Sequence, residues 1–76
     1  VYILQSIIFP DRYYVGITED LRARVATHNA KEVPYTSKYA PWRLKTYIAF
    51  SDRTQAFEFA KYLKTASGRA FAKKRL

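Results

Sequence analysis

The chain has no cysteine, no methionine, two glycines and a single histidine among its 76 residues. Without cysteine there is neither a disulfide framework nor a thiolate-held zinc to supplement a small core. No apolar run is long enough to span a membrane, and no signal-peptide pattern is present. Acidic residues are also scarce, six against fourteen Lys and Arg, which leaves a net charge of +8. A field of that sign attracts polyanions and speeds their arrival, so nucleic acid is the expected partner. An anionic membrane surface is the rival, but no basic amphipathic helix with a broad apolar face supports it. Cytoplasmic residence is the expectation, and no protein partner is evident. The chain opens at Val1, inside what reads as a strand, so trimmed residues are expected to precede it.

A length of 76 residues predicts one domain, 1–76, near the lower limit at which a core alone stabilises a fold. The core must lean on aromatics, and five Phe, seven Tyr and one Trp supply them. Residues 1–8 and 13–18 are β-branched and aromatic around Pro10-Asp11, which predicts a hairpin. Alternation places Tyr2 and Leu4 on one face, with Val1 and Ile3 opposite. In the second strand Tyr14, Gly16 and Thr18 share a face. Thr18 and Asp20 offer the start of a helix running to about Asn29. Residues 30–42 read as a loop and Leu44 to Phe50 as a third strand. Ser51 or Asp52 can cap a helix through about Ala66, with Gly68 as its end and a short basic helix from Arg69 to Leu76. The class expected is α+β: a small three-stranded antiparallel sheet flanked by helices, in the order β-β-α-β-α-α.

Leu21, Arg24, Val25 and His28 fall at i, i+3, i+4 and i+7, the spacing of a buried stripe. Two polar residues therefore sit among core positions, while Arg22, Ala23 and Thr27 face outward. A buried guanidinium needs a partner. Taken alone, Arg24 could pair with a carboxylate or a tyrosine hydroxyl, His28 could be a hydrogen-bonded core histidine, and Tyr2 and Tyr14 ordinary strand aromatics. Together on a basic domain, phenols, guanidinium and imidazole are groups that can surround a phosphate.

In order and spacing these segments resemble the GIY-YIG nuclease superfamily, and within it the small stand-alone members. Val1-Tyr2 resembles the end of the first signature and Tyr14-Val15-Gly16 the second. Asp20-Leu21-Arg22-Ala23-Arg24 resembles the family's Asp/Asn-Leu-x-x-Arg, followed by His28-Asn29; Pro41-Trp42-Arg43-Leu44 and Ala56 to Lys64 resemble later landmarks. The resemblance implies a metal-dependent endonuclease. Tyr14 would act on the attacking water, Tyr2 would position water or phosphate, Arg24 would neutralise phosphate charge, and His28 would orient or deprotonate a tyrosine. It also implies one divalent cation, magnesium or manganese, held by a glutamate four residues before a lysine.

At that position this chain carries Ala60, four residues before Lys64. Glu58 is no substitute, because two helical residues are about 200° of rotation. The metal ligand is therefore read as absent, no ion is expected to bind, and the chain is expected to be inactive or nearly so. The alanine is either a natural loss, leaving a non-catalytic nucleic-acid-binding domain, or an engineered replacement in an active endonuclease. The otherwise intact site favours the second.

The segment Tyr35-Thr36-Ser37-Lys38-Tyr39-Ala40-Pro41-Trp42-Arg43 interleaves aromatics with cations, which suits single-stranded DNA. Trp42 itself reads as core. Tyr35, Thr36, Ser37, Lys38 and Arg43, with Arg22, Lys64 and Arg69, form the expected nucleic-acid-binding set.

Overall fold

A computed structural model describes residues 1–76. Three strands, β1 (Tyr2–Ser6), β2 (Tyr13–Gly16) and β3 (Trp42–Tyr47), form an antiparallel sheet in the order β2-β1-β3. Four helices complete the chain: α1 (Leu21–Asn29), α2 (Pro34–Ser37), α3 (Arg53–Leu63) and α4 (Ala66–Arg75). The expected class and order of the sheet and main helices are observed. No helix is long and apolar enough to cross a membrane.

Alternation in β1 gives the sheet two covered faces. Val1 and Ile3 pack with Ala56, Ala60 and Leu63 of α3 on one side. Tyr2 and Leu4 pack with Trp42, and with Leu21 and Val25 of α1, on the other. Helix starts follow the capping rules: the Asp20 carboxylate accepts from Ala23 N at 3.1 Å, and that of Asp52 from Thr54 N at 2.9 Å.

Three expected boundaries are corrected. The first strand stops at Ser6, whose hydroxyl accepts from Phe9 N at 3.0 Å and so turns the chain out of the sheet. The third strand lies earlier than Leu44 to Phe50, because Trp42 and Arg43 pair with Ser6 and Gln5 while the ladder ends at Tyr47. The region read as loop contains α2, a single turn with Pro34 at its start.

Gly68 does not end a helix. It lies in the first turn of α4, where Thr65 caps by accepting from Gly68 N at 3.0 Å. A Cβ on Gly68 would stand 1.8 Å from the Tyr62 carbonyl oxygen, so glycine here permits the backbones of α3 and α4 to touch. Gly68→Ala should cost about 1–3 kcal/mol. Thermal melting should show a fall of several degrees, and an unchanged midpoint would contradict that contact.

Candidate active site

The site is built around the hydroxyl of Tyr2. Pairing places Tyr2 directly across from Gly16, and the phenol lies over that glycine so closely that a Cβ would stand 2.2 Å from the hydroxyl. One glycine thus gives the ring its place in the core, where Tyr2 is 1% exposed. From α1, two residues four apart present their side chains to the same oxygen. His28 Nε2 lies 3.0 Å from the Tyr2 hydroxyl, and Arg24 Nε donates to it over a longer 3.4 Å.

Bonding behind the imidazole assigns its tautomer. Thr36 donates its hydroxyl proton to the Val33 carbonyl at 3.3 Å, which leaves its oxygen to accept from His28 Nδ1 at 2.8 Å. Nδ1 carries the proton, so Nε2 accepts from Tyr2. The Trp42 indole N–H donates to the Thr36 carbonyl at 2.8 Å. Asn29 locks the Trp42 backbone, donating to its carbonyl at 3.0 Å and accepting from its N–H at 2.6 Å. His28 and Thr36 are completely buried, and every buried side-chain polar atom has a partner.

Charges follow from these contacts. Burial raises the Tyr2 pKa above its ordinary 10.0, opposed by the hydrogen bond from Arg24. Burial lowers His28 below 6.5, and the Arg24 cation adds to the effect. Arg24 is raised above its usual value, first by its bond to Tyr2, against a desolvation cost, and further by Tyr14. At neutral pH the resting group is a phenol, a neutral imidazole and a guanidinium.

Tyr14 flanks this line from β2, its ring centroid 4.8 Å from His28 and 6.3 Å from Tyr2. The structure therefore brings Tyr2, Tyr14, Arg24 and His28 to one place, grading from the buried imidazole to the half-exposed Tyr14. Tyr35 of α2 extends the group outward, 6.3 Å from Tyr14 and itself 58% exposed.

Residues expected to meet nucleic acid divide. Arg22, Tyr35, Lys38, Arg43, Lys64 and Arg69 are exposed. Arg43 donates to the Gln5 side-chain carbonyl. Ser37 is half-buried and donates its hydroxyl to Pro34 O at 2.8 Å. Thr36 is the correction: it is sealed beneath α2, its hydroxyl bonded to His28, and it cannot touch a ligand. Its role and that of Gly16 were not visible in the sequence, where a threonine in a polar segment and a glycine in a strand carry no signal of what they face.

Ala60 is buried against the sheet, as its helical spacing requires, while Glu58 is exposed. A cavity of about 370 Å³ opens beside Ala60, lined also by Gly16, Glu58, Lys61 and Lys64. Nowhere do three or more His, Cys, Asp or Glu side chains gather in a set that could hold an ion. Divalent hard cations need several oxygen donors. One exposed carboxylate in a cavity shared with two lysines does not fit such an ion.

Two measurements check this geometry. The fold stabilises neutral His28, so its contribution is complete above the unfolded value of 6.5 and is lost as pH falls through 6.5 toward the lower folded value. The melting midpoint should drop on acidification over that range, and His28 ring resonances should titrate below 6.5; titration above 6.5 would contradict the buried, neutral assignment. Gly16→Ala should expel the Tyr2 phenol at a cost of about 1–3 kcal/mol. In that variant the Tyr2–His28 hydrogen bond should vanish from the spectrum, and its survival would count against the close packing.

A stretch of 45 residues is 49% identical to a UPF0213 protein of Lacticaseibacillus paracasei, covering 58% of this chain and 51% of that relative. This region thus corresponds to about half the length of the curated relative. No solved structure matches the chain. The GIY-YIG catalytic domain matches residues 1–75, almost end to end, and the chain therefore belongs to the GIY-YIG family of nucleases.

Proposed function

We propose that this domain carries the phosphodiester-cleaving site of a DNA endonuclease, with single-stranded DNA the favoured substrate, and that Ala60 leaves it silent. The convergence of Arg24 and Tyr14 on the buried Tyr2–His28 pair carries the reading. In this reading Arg24 neutralises a phosphate oxygen, supported by its contact with the phenol at the edge of the cluster. Tyr14, the more accessible phenol, meets the attacking water. Tyr2 is 1% exposed and bonded to both Arg24 and His28, so the expected contact with water or phosphate gives way to a positioning role: it holds the guanidinium toward them, and His28 Nε2 is the acceptor for its proton.

Magnitudes show why the phenol and imidazole need a cation beside them to serve as a base. Moving a proton from a phenol of ordinary pKa 10.0 to an imidazole of 6.5 is uphill by about 5 kcal/mol, and burial shifts both groups in the wrong direction. Arg24 offsets only part of that cost. Nucleases of this family generally use a divalent metal, and the residues around Ala60 supply no oxygen cage for one. We expect no tightly bound ion in this chain. The buried Ala60 also favours a second reading, a non-catalytic nucleic-acid-binding domain descended from a nuclease.

The two readings separate at one position. Ala60→Glu, assayed with magnesium or manganese on single-stranded, duplex and branched DNA, should gain at least about 10³ in cleavage rate, roughly 4 kcal/mol. An inert variant that folds and binds DNA would favour the second reading. Adding Arg24→Ala in that background should cost about 10²–10³, or 3–4 kcal/mol, with little change in melting temperature. A variant that melts early yet keeps its specific activity would make Arg24 a structural partner of Tyr2 alone.

A further inference from the structure

Between the sheet, the end of α3 and one side of α4 lies an open groove of about 560 Å³, within the range of ligand-binding clefts. Its cations are Lys45 on β3, Lys64 after α3, and Arg69 and Lys73 on α4, against one acid, Asp11. Its aromatics are Tyr13, 47% exposed, and Tyr35, 58% exposed. Lys45 Nζ lies 5.3 Å from the centre of the Tyr13 ring, so cation and aromatic already alternate there. Tyr14 also lines this groove, which therefore reaches round the free edge of β2 to the site. Lys64 lines the cavity beside Ala60 as well, joining the two spaces.

Resting on the reading above, we infer that this groove is the track of a single nucleic-acid strand leaving the phosphodiester site. Backbone phosphates lie along Lys64, Arg69 and Lys73, and a base stacks on Tyr35. Four cations against one acid select a polyanion. Exposed aromatic faces between them select one with unpaired bases, since duplex bases are already stacked. Lys45 and Lys73 are new to the binding surface, because nothing in their sequence setting separates them from other surface lysines.

The test uses this chain as it stands, with a labelled oligothymidylate and anisotropy titrations over a range of salt. Arg69→Ala and Lys73→Ala should each flatten the log–log salt slope by about 0.7. Tyr35→Ala should weaken binding about five-fold or more, the lower bound for losing one stacked base. Lys74→Ala, an exposed lysine of the same helix outside the groove, should change neither slope nor affinity. The inference is overturned if Lys74→Ala matches Lys73→Ala, if duplex DNA depends equally on these residues, or if polyglutamate competes as well as the oligonucleotide. Cleavage in the Ala60→Glu background is read separately. Cleavage that persists while the groove variants bind normally removes the track and keeps the site, and the reverse outcome removes the site and keeps the track.

Discussion

The hydroxyl of Tyr2 lies between His28 and Arg24, and most of the domain is arranged to keep it there. Gly16 yields the space for the ring, α1 supplies both partners from one face, and Thr36 holds the imidazole in one tautomer. Trp42 and Asn29 then pin α2 and β3 behind that threonine. A buried polar line of this kind is costly unless every member is satisfied. Here it is satisfied. The arrangement explains why so small a core tolerates a histidine and a tyrosine side by side: each satisfies a buried polar atom of the other.

The two faces of the sheet divide the labour. The α1 side holds the titratable groups, whereas the α3 side is apolar at its centre and basic at its margin. Residue 60 stands where the two regions approach each other, since its cavity also touches Gly16. A carboxylate there would add a second negative charge to a rim that carries Glu58, Lys61 and Lys64. With alanine, two cations stand against one carboxylate around the space beside the glycine that holds Tyr2. That balance suits holding a phosphate better than activating a water.

Much of this was legible in the residues. Strand alternation assigned the faces of Tyr2, Leu4, Val1 and Ile3, and the i, i+3, i+4, i+7 stripe placed Arg24 and His28 inward. Helical rotation alone separated buried Ala60 from exposed Glu58. What stayed hidden depended on contacts distant in sequence. A four-residue helix has no periodicity to detect, so α2 and the burial of Thr36 read as polar loop. Gly68 has the look of a helix stop, yet its cause is a close approach to Tyr62, which no local rule reveals. The aromatic and basic groove collects residues from β2, β3, α2 and α4, and only the fold brings them together.

The most direct measurement is a crystal structure of this chain with a single-stranded oligonucleotide. A backbone phosphate should lie within hydrogen-bonding distance of the Arg24 guanidinium and the Tyr14 hydroxyl, with Tyr2 still bonded to His28. A strand bound elsewhere, with Arg24 turned only to Tyr2 and no phosphate near the phenols, would contradict the assignment of this cluster to phosphodiester chemistry.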